Sequence, residues 1–194
     1  MARVYGIKKG LAQNNVDEKR IKEIIGNENL TGVIVRMEKL LDPGMMHEIL
    51  DACACGGGKE FIKSCEKTGK EIADKTLSEK INHINSISPE SDNIVLNDDN
   101  TLTVTWSFGD KGKNKCLCSA ALTKGVKVAE LALESNAADD CAMPLSYCLC
   151  CAGAGRRHLQ LRLGVELKTK EILSSPINSR GSKPCQFVLE IGKG

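Results

Sequence analysis

Near Ser86 the apolar residues of this chain change their period, and that change limits what it can fold into. Ahead of it they recur three and four apart, the spacing of a helix with one buried face. Residues 17–25 place Ile21, Ile24 and Ile25 on one side, and Gly26 ends the run. Residues 31–41 do the same with Val33, Ile34, Met37, Leu40 and Leu41. Asp42-Pro43 then starts another helix, since aspartate caps well and proline is tolerated in a first turn. Its apolar positions Met46, Ile49 and Leu50 lead to Cys53-Ala54-Cys55-Gly56-Gly57-Gly58. Helical spacing resumes through Phe61, Ile62 and Cys65 and runs again over Ile72, Leu77, Ile81 and Ile84.

Past Ser86 the period shortens. Ile94-Val95-Leu96, then Asn97-Asp98-Asp99-Asn100, then residues 101–107 give a hairpin signal. Thr101, Thr103 and Thr105 alternate with Leu102, Val104 and Trp106, which predicts one buried face and one wet face. Residues 115–119 form a candidate third strand. Residues 136–164 contain helix, interrupted or softened at Pro144 and at Gly153-Ala154-Gly155, and residues 165–172 and 185–191 read as closing strands. The expected class is α+β: N-terminal helices, then a mostly antiparallel sheet packed with helices. A helical region over 1–85 and an α+β region over 86–194 would share one compact domain.

A chain of 194 residues can bury a core without disulfide staples. Aromatic residues make up only 3% of it, so little surface is available for stacking on bases or sugars. A formal charge of +2 argues against a protein that neutralises many phosphates, and no nucleic-acid partner is expected. No apolar run approaches the roughly 18 to 20 residues that span a bilayer, so no membrane partner is expected either. The start, Met1-Ala2-Arg3-Val4-Tyr5-Gly6-Ile7-Lys8-Lys9, has positive charge without a following apolar run and does not read as a signal peptide. The expectation is a soluble, cytoplasmic chain.

In a reducing compartment ten cysteines point to metal, redox or catalytic work, or to small packed core residues. Seven fall in three groups: Cys53 with Cys55, Cys116 with Cys118, and Cys148, Cys150 with Cys151. On a strand Cys116 and Cys118 would share a face, and on a helix Cys148 and Cys151 would, with Cys150 turned elsewhere. Cys55 sits in a glycine-rich turn before a helix start, where backbone N–H groups stabilise a thiolate. Four sulfurs from two such groups could hold zinc, and Cys53, Cys55, Cys148 and Cys151 are the leading candidates. Cys116, Cys118 and Cys150 are further ones. The pairs are Cys-x-Cys, however, and not the Cys-x-x-Cys of a zinc ribbon.

Other motifs are weaker. His47-Glu48-Ile49-Leu50-Asp51 begins like a zinc-protease helix, but aspartate stands where the second histidine is required. Gly56-Gly57-Gly58-Lys59 lacks the preceding glycine of a phosphate loop, and Glu60 replaces its Ser or Thr. Gly153-Ala154-Gly155-Arg156-Arg157 reads either as an anion site at a helix start or, more simply, as a helix break with a solvated basic turn. Asn29-Leu30-Thr31 matches a glycosylation acceptor, with nothing to send the chain to the secretory path. His83 and His158 are single histidines, for which surface or satisfied core positions are the default.

The C-terminal third carries a resemblance. Tyr147-Cys148-Leu149-Cys150-Cys151-Ala152-Gly153 is followed by Leu163-Gly164-Val165-Glu166-Leu167, by Ser174-Ser175-Pro176-Ile177 and Gly181, and by Cys185-Gln186-Phe187-Val188-Leu189. This resembles cysteine-rich prokaryotic proteins related to the four-vinyl-reductase-like small-molecule-binding domains, and the aminothiazoline-carboxylate-hydrolase-like proteins. It covers about 45 residues, with Cys53-Ala54-Cys55-Gly56 matching more loosely. The resemblance implies an α+β ligand-binding fold with a pocket between sheet and helices. Its hydrolase-like side implies cysteine-assisted hydrolysis, with no nucleophile assignable residue by residue.

Three functions follow as expectations. The first is a sensor-like module that binds a small molecule or a metal ion, zinc being the candidate, through clustered cysteines. The second is a cysteine-dependent hydrolase or thiol oxidoreductase, and the third is a protein whose cysteines only fill the core. Closing strands also make a homodimer plausible through sheet pairing.

Overall fold

A computed structural model describes residues 2–26, 30–53, 58–89, 92–107, 114, 145–179 and 181–192. Six helices come first: α1 (Ala2–Gln13), α2 (Glu18–Ile25), α3 (Leu30–Leu40), α4 (Pro43–Ala52), α5 (Lys59–Glu71) and α6 (Leu77–Ile87). The hairpin β1 (Asn93–Leu96) and β2 (Thr101–Trp106) follows. A 3-10 turn (Leu145–Cys148) then leads into α7 (Leu149–Leu163), and β3 (Leu167–Ser174) and β4 (Cys185–Ile191) close the fold. The class is α+β, with helices packed on an antiparallel sheet.

Local chemistry explains several helix ends. Asp17 and Asp42 accept hydrogen bonds from the amides of Arg20 and Met45, capping α2 and α4. Pro43 occupies the first position of α4, where no intrahelical donor is needed. At the other end of α2, Arg36 Nε and Nη2 donate to the Ile24 and Ile25 carbonyls at 2.7 and 3.0 Å. That satisfies acceptors the helix itself leaves open. Thr76 and Glu79 cap α6 reciprocally, which separates it from α5 where the sequence pattern runs on from Ile72 to Leu77.

The sheet order is β1-β2-β4-β3, antiparallel throughout. Val104 pairs with Phe187 and Trp106 with Cys185, so these side chains share the helix-facing side with Leu102 and Leu189. A bulge in β3 lets Thr169, opposite Leu189, and Ile172, opposite Phe187, both face the helices. Ile172 thereby packs against both apolar clusters of the molecule. One cluster joins α1–α4 with Tyr147, Leu149 and Ile177, and the other joins Ile72, Ile81 and Ile84 with the sheet and the second half of α7.

Helix α7 runs unbroken through Gly153-Ala154-Gly155, which corrects the expected interruption. Glycine costs a helix about 1 kcal/mol relative to alanine, and close packing offsets it here. A Cβ on Gly153 would lie 2.5 Å from the Asp51 carbonyl oxygen, and one on Gly155 would overlap the rings of Trp106 and Phe187. The missing side chains let α4 and the sheet close on the helix. Gly69 of α5 similarly meets the backbone at Leu161. The polar face follows suit. Arg156 reaches Asp51 of α4, so the residues after the glycines are neither a helix start nor a solvated turn.

Candidate ligand groove

On α7 the spacing of Gly155, His158, Leu159 and Arg162 sets these residues along one face. They form one wall of a groove of about 720 Å³. Phe61, Ser64 and Thr68 of α5 form a second wall, and α6 adds Ile84, Asn85 and Ile87. Trp106, at the end of β2, and Ser88, Pro89 and Asp92 ahead of β1 also line it. Glycine at 155 brings Trp106 against the helix, where its indole meets the Phe187 ring edge-on at 5.1 Å.

The walls are aromatic and aliphatic, with a few polar groups. The His158 ring stands edge-on to Phe61 with centroids 4.7 Å apart, and the Arg162 guanidinium carbon lies 5.5 Å from the Phe61 centroid. Both fit the electrostatics of an aromatic face. Most of the other polar groups are committed to the backbone. Asn85 Nδ2 donates to the Ile94 carbonyl at 2.9 Å, and the Ile94 amide donates to Asn85 Oδ1 at 3.0 Å. Ser88 and Thr68 hydroxyls donate to the carbonyls of Ile84 and Ser64. Asp92 accepts from the Ser107 amide at 3.4 Å. Arg162 differs: its Nε is buried and has no hydrogen-bond partner among the described residues. Phe61 and Ile87 stand at the rim, 42% and 58% exposed.

The expected cysteine site is only partly within the described residues. Cys55, Cys116 and Cys118 lie outside them. Cys53 ends α4, half-buried, with its sulfur against Gly6 of α1. Cys148 precedes α7 and is buried, as is Cys150, while Cys151 is half-buried. Among the described residues no three His, Cys, Asp or Glu side chains are grouped to hold a metal ion. Cys151 lies one turn before Gly155, on the helical stripe that continues into the groove wall. Cys185 lies opposite Trp106 in the sheet.

Sequence reasoning missed the groove itself. Phe61, Trp106, His158 and Arg162 come from three elements far apart in the chain, and single histidines and arginines carry no motif. The one local signal was the Gly155, His158, Arg162 stripe, two helical steps that put a glycine, an imidazole and a guanidinium on one side. Asp51, which disqualified the zinc-protease pattern, anchors a polar knot behind this wall. No described helix is long and apolar enough to cross a membrane. No protein-family model, curated protein or solved structure matches the chain.

Proposed function

We propose that this chain is a small-molecule-binding module, and that its ligand occupies the groove between α5, α6, α7 and the β1–β2 hairpin. The groove's volume, about 720 Å³, is the observation that carries this reading. Small-molecule sites typically measure about 300–1,000 Å³, with apolar and aromatic walls and few convergent polar groups. This groove has that make-up. Phe61, Trp106 and Ile84 supply the apolar surface, and His158 and Arg162 the polar groups.

The test is a titration with N-phenyl-1-naphthylamine, a neutral dye that brightens in apolar surroundings. Trp106 is the only tryptophan in the chain, so its quenching reports occupation of this wall. Saturable binding of one dye per chain, with Trp106 quenched and with Phe61→Ala weakening it, is the expected result. A dye signal that does not saturate, or that ignores Phe61→Ala, rejects the groove.

For the cysteines a second reading has its own support. Four of the six described cysteines, Cys65, Cys148, Cys150 and Cys185, are buried, as expected of small apolar core residues. We infer that packing is their main work, in a reducing compartment such as the cytoplasm.

A further inference from the structure

We infer that the groove selects a planar aromatic or conjugated carboxylate, whose anionic group is held by Arg162. The inference rests on the ligand-binding reading above and adds the charge of the ligand to it.

Two arginines of α7 make the argument by contrast. Arg156 is saturated: Nη2 donates to Asp51 Oδ2 at 2.7 Å and Nη1 to Gln160 Oε1 at 2.7 Å. Arg162, six residues on, lines the groove and forms no ion pair or hydrogen bond among the described residues. Its Nε is nonetheless out of solvent. A guanidinium with no anionic partner in a partly enclosed groove favours an anion that brings one to its accessible end. A guanidinium presents a planar fork that matches a carboxylate with two parallel bonds.

The rest of the groove sets the shape of what carries that carboxylate. Phe61 lies under the guanidinium, and the Trp106 indole forms part of the same lining. Two aromatic walls favour a flat ring system over a branched aliphatic chain. The other charged lining group is Asp92, and it already accepts the Ser107 amide. His158, the remaining titratable lining group, has its ring edge on Phe61. Arg162 is the permanent cation of the lining.

The experiment is calorimetric titration of the full chain with three pairs of isosteres: benzoate and benzamide, 2-naphthoate and 2-naphthamide, indole-3-acetate and indole-3-acetamide. In at least one pair the acid binds about tenfold or more tightly than its amide, as a charge-assisted bond in a desolvated site implies. Arg162→Gln brings that acid down to the level of its amide, the acid losing far more affinity than the amide or the dye. Arg162→Lys, which keeps the charge without the fork, retains part of the preference. Equal affinities in every pair, or a preference that survives Arg162→Gln, overturn the inference while the dye titration still upholds the groove. If acids, amides and dye all fail to bind, both fall together. Thermal melts of the variants establish that they are folded. Should Arg162→Gln not fold, the wild-type acid-to-amide ratio and Arg162→Lys decide the matter.

Discussion

Asp51 at the end of α4 and Arg156 in the middle of α7 form an ion pair at 2.7 Å, with side chains only 17% and 19% exposed. Asp51 Oδ1 also accepts from the Thr169 hydroxyl of β3 at 2.6 Å, and Arg156 Nη1 donates to Gln160. One carboxylate thus ties two helices and the sheet together behind the groove wall. Removing one partner of such a pair leaves a desolvated charge. The cost reaches about 3–5 kcal/mol at full burial, and residual solvent access lowers it here to about 2–3 kcal/mol. Asp51→Ala and Arg156→Ala are each expected to lower the urea midpoint by that equivalent. Thr169→Val should cost about 1.5 kcal/mol through the lost charge-assisted bond. The double variant Asp51→Ala/Arg156→Ala should cost clearly less than the sum of the singles. Strict additivity would mean that the pair does not couple α4 to α7.

The two glycines of α7 give a ranked prediction. Gly153→Ala drives a Cβ into the Asp51 backbone, which cannot rotate away, so α4 must move off α7. Gly155→Ala meets the far edge of the Trp106 indole, a side chain that can turn. Overpacking of this kind costs about 1–3 kcal/mol, against roughly 1 kcal/mol regained from helix propensity. Gly153→Ala should therefore be the more destabilising in chemical denaturation. Gly155→Ala should shift Trp106 emission and weaken dye binding with the smaller loss of stability. The reverse order would remove the close approach of α4 as the reason for glycine at 153.

The fate of these glycines shows what a single sequence can and cannot reveal. Ile21, Ile24 and Ile25 or Leu102 and Val104 announce their elements because their neighbours along the chain fix the period. Gly153 and Gly155 look like a break because propensity counts their cost while the helix and strand they admit lie elsewhere in the sequence. The first helix escaped for a related reason. Val4, Ile7 and Leu11 are buried at helical spacing, but Gly6, Lys8, Lys9 and Gly10 dilute the stripe. The groove was the least legible part, since its walls are assembled by the β2–β4 pairing and by α5 packing on α7, both long-range events.

Acid acts on the α6 cap through Glu79. The Thr76 hydroxyl donates to its Oε2 at 2.7 Å and the Thr76 amide at 2.8 Å. These bonds, the hydroxyl's foremost, hold the carboxyl below its ordinary value of 4.5. A carboxylate whose pKa is lowered on folding contributes stability above the unfolded value and loses it as pH falls through the folded one. Glu79→Gln is expected to melt below the wild type at pH 7, with the gap narrowing as pH falls below the carboxyl's ordinary value and through its lowered one. Asp99, lowered by its bond from the Thr101 hydroxyl, titrates in the same range in both proteins and cancels in the difference. A gap that stays constant across this range would show that the cap does not depend on the carboxylate charge.

The cysteines offer the sharpest separation between packing and chemistry. Cys53 and Cys151 are half-buried, whereas Cys65, Cys148, Cys150 and Cys185 are buried. If packing governs their reactivity, iodoacetamide on the reduced native protein should label Cys53 and Cys151 first among the described cysteines. Cys65, at 0% exposure inside α5, should then wait for unfolding. Peptide-level mass spectrometry over time resolves each position. A groove ligand adds a second reading, because Cys151 lies one turn from Gly155 on the stripe that enters the groove. Bound ligand should slow labelling of Cys151 and leave Cys53 unchanged. Conversely, a buried cysteine that alkylates faster than Cys151 at neutral pH must owe its rate to a stabilised thiolate. That outcome would move the protein from the packed-core reading to thiol chemistry, since exposure alone cannot produce it.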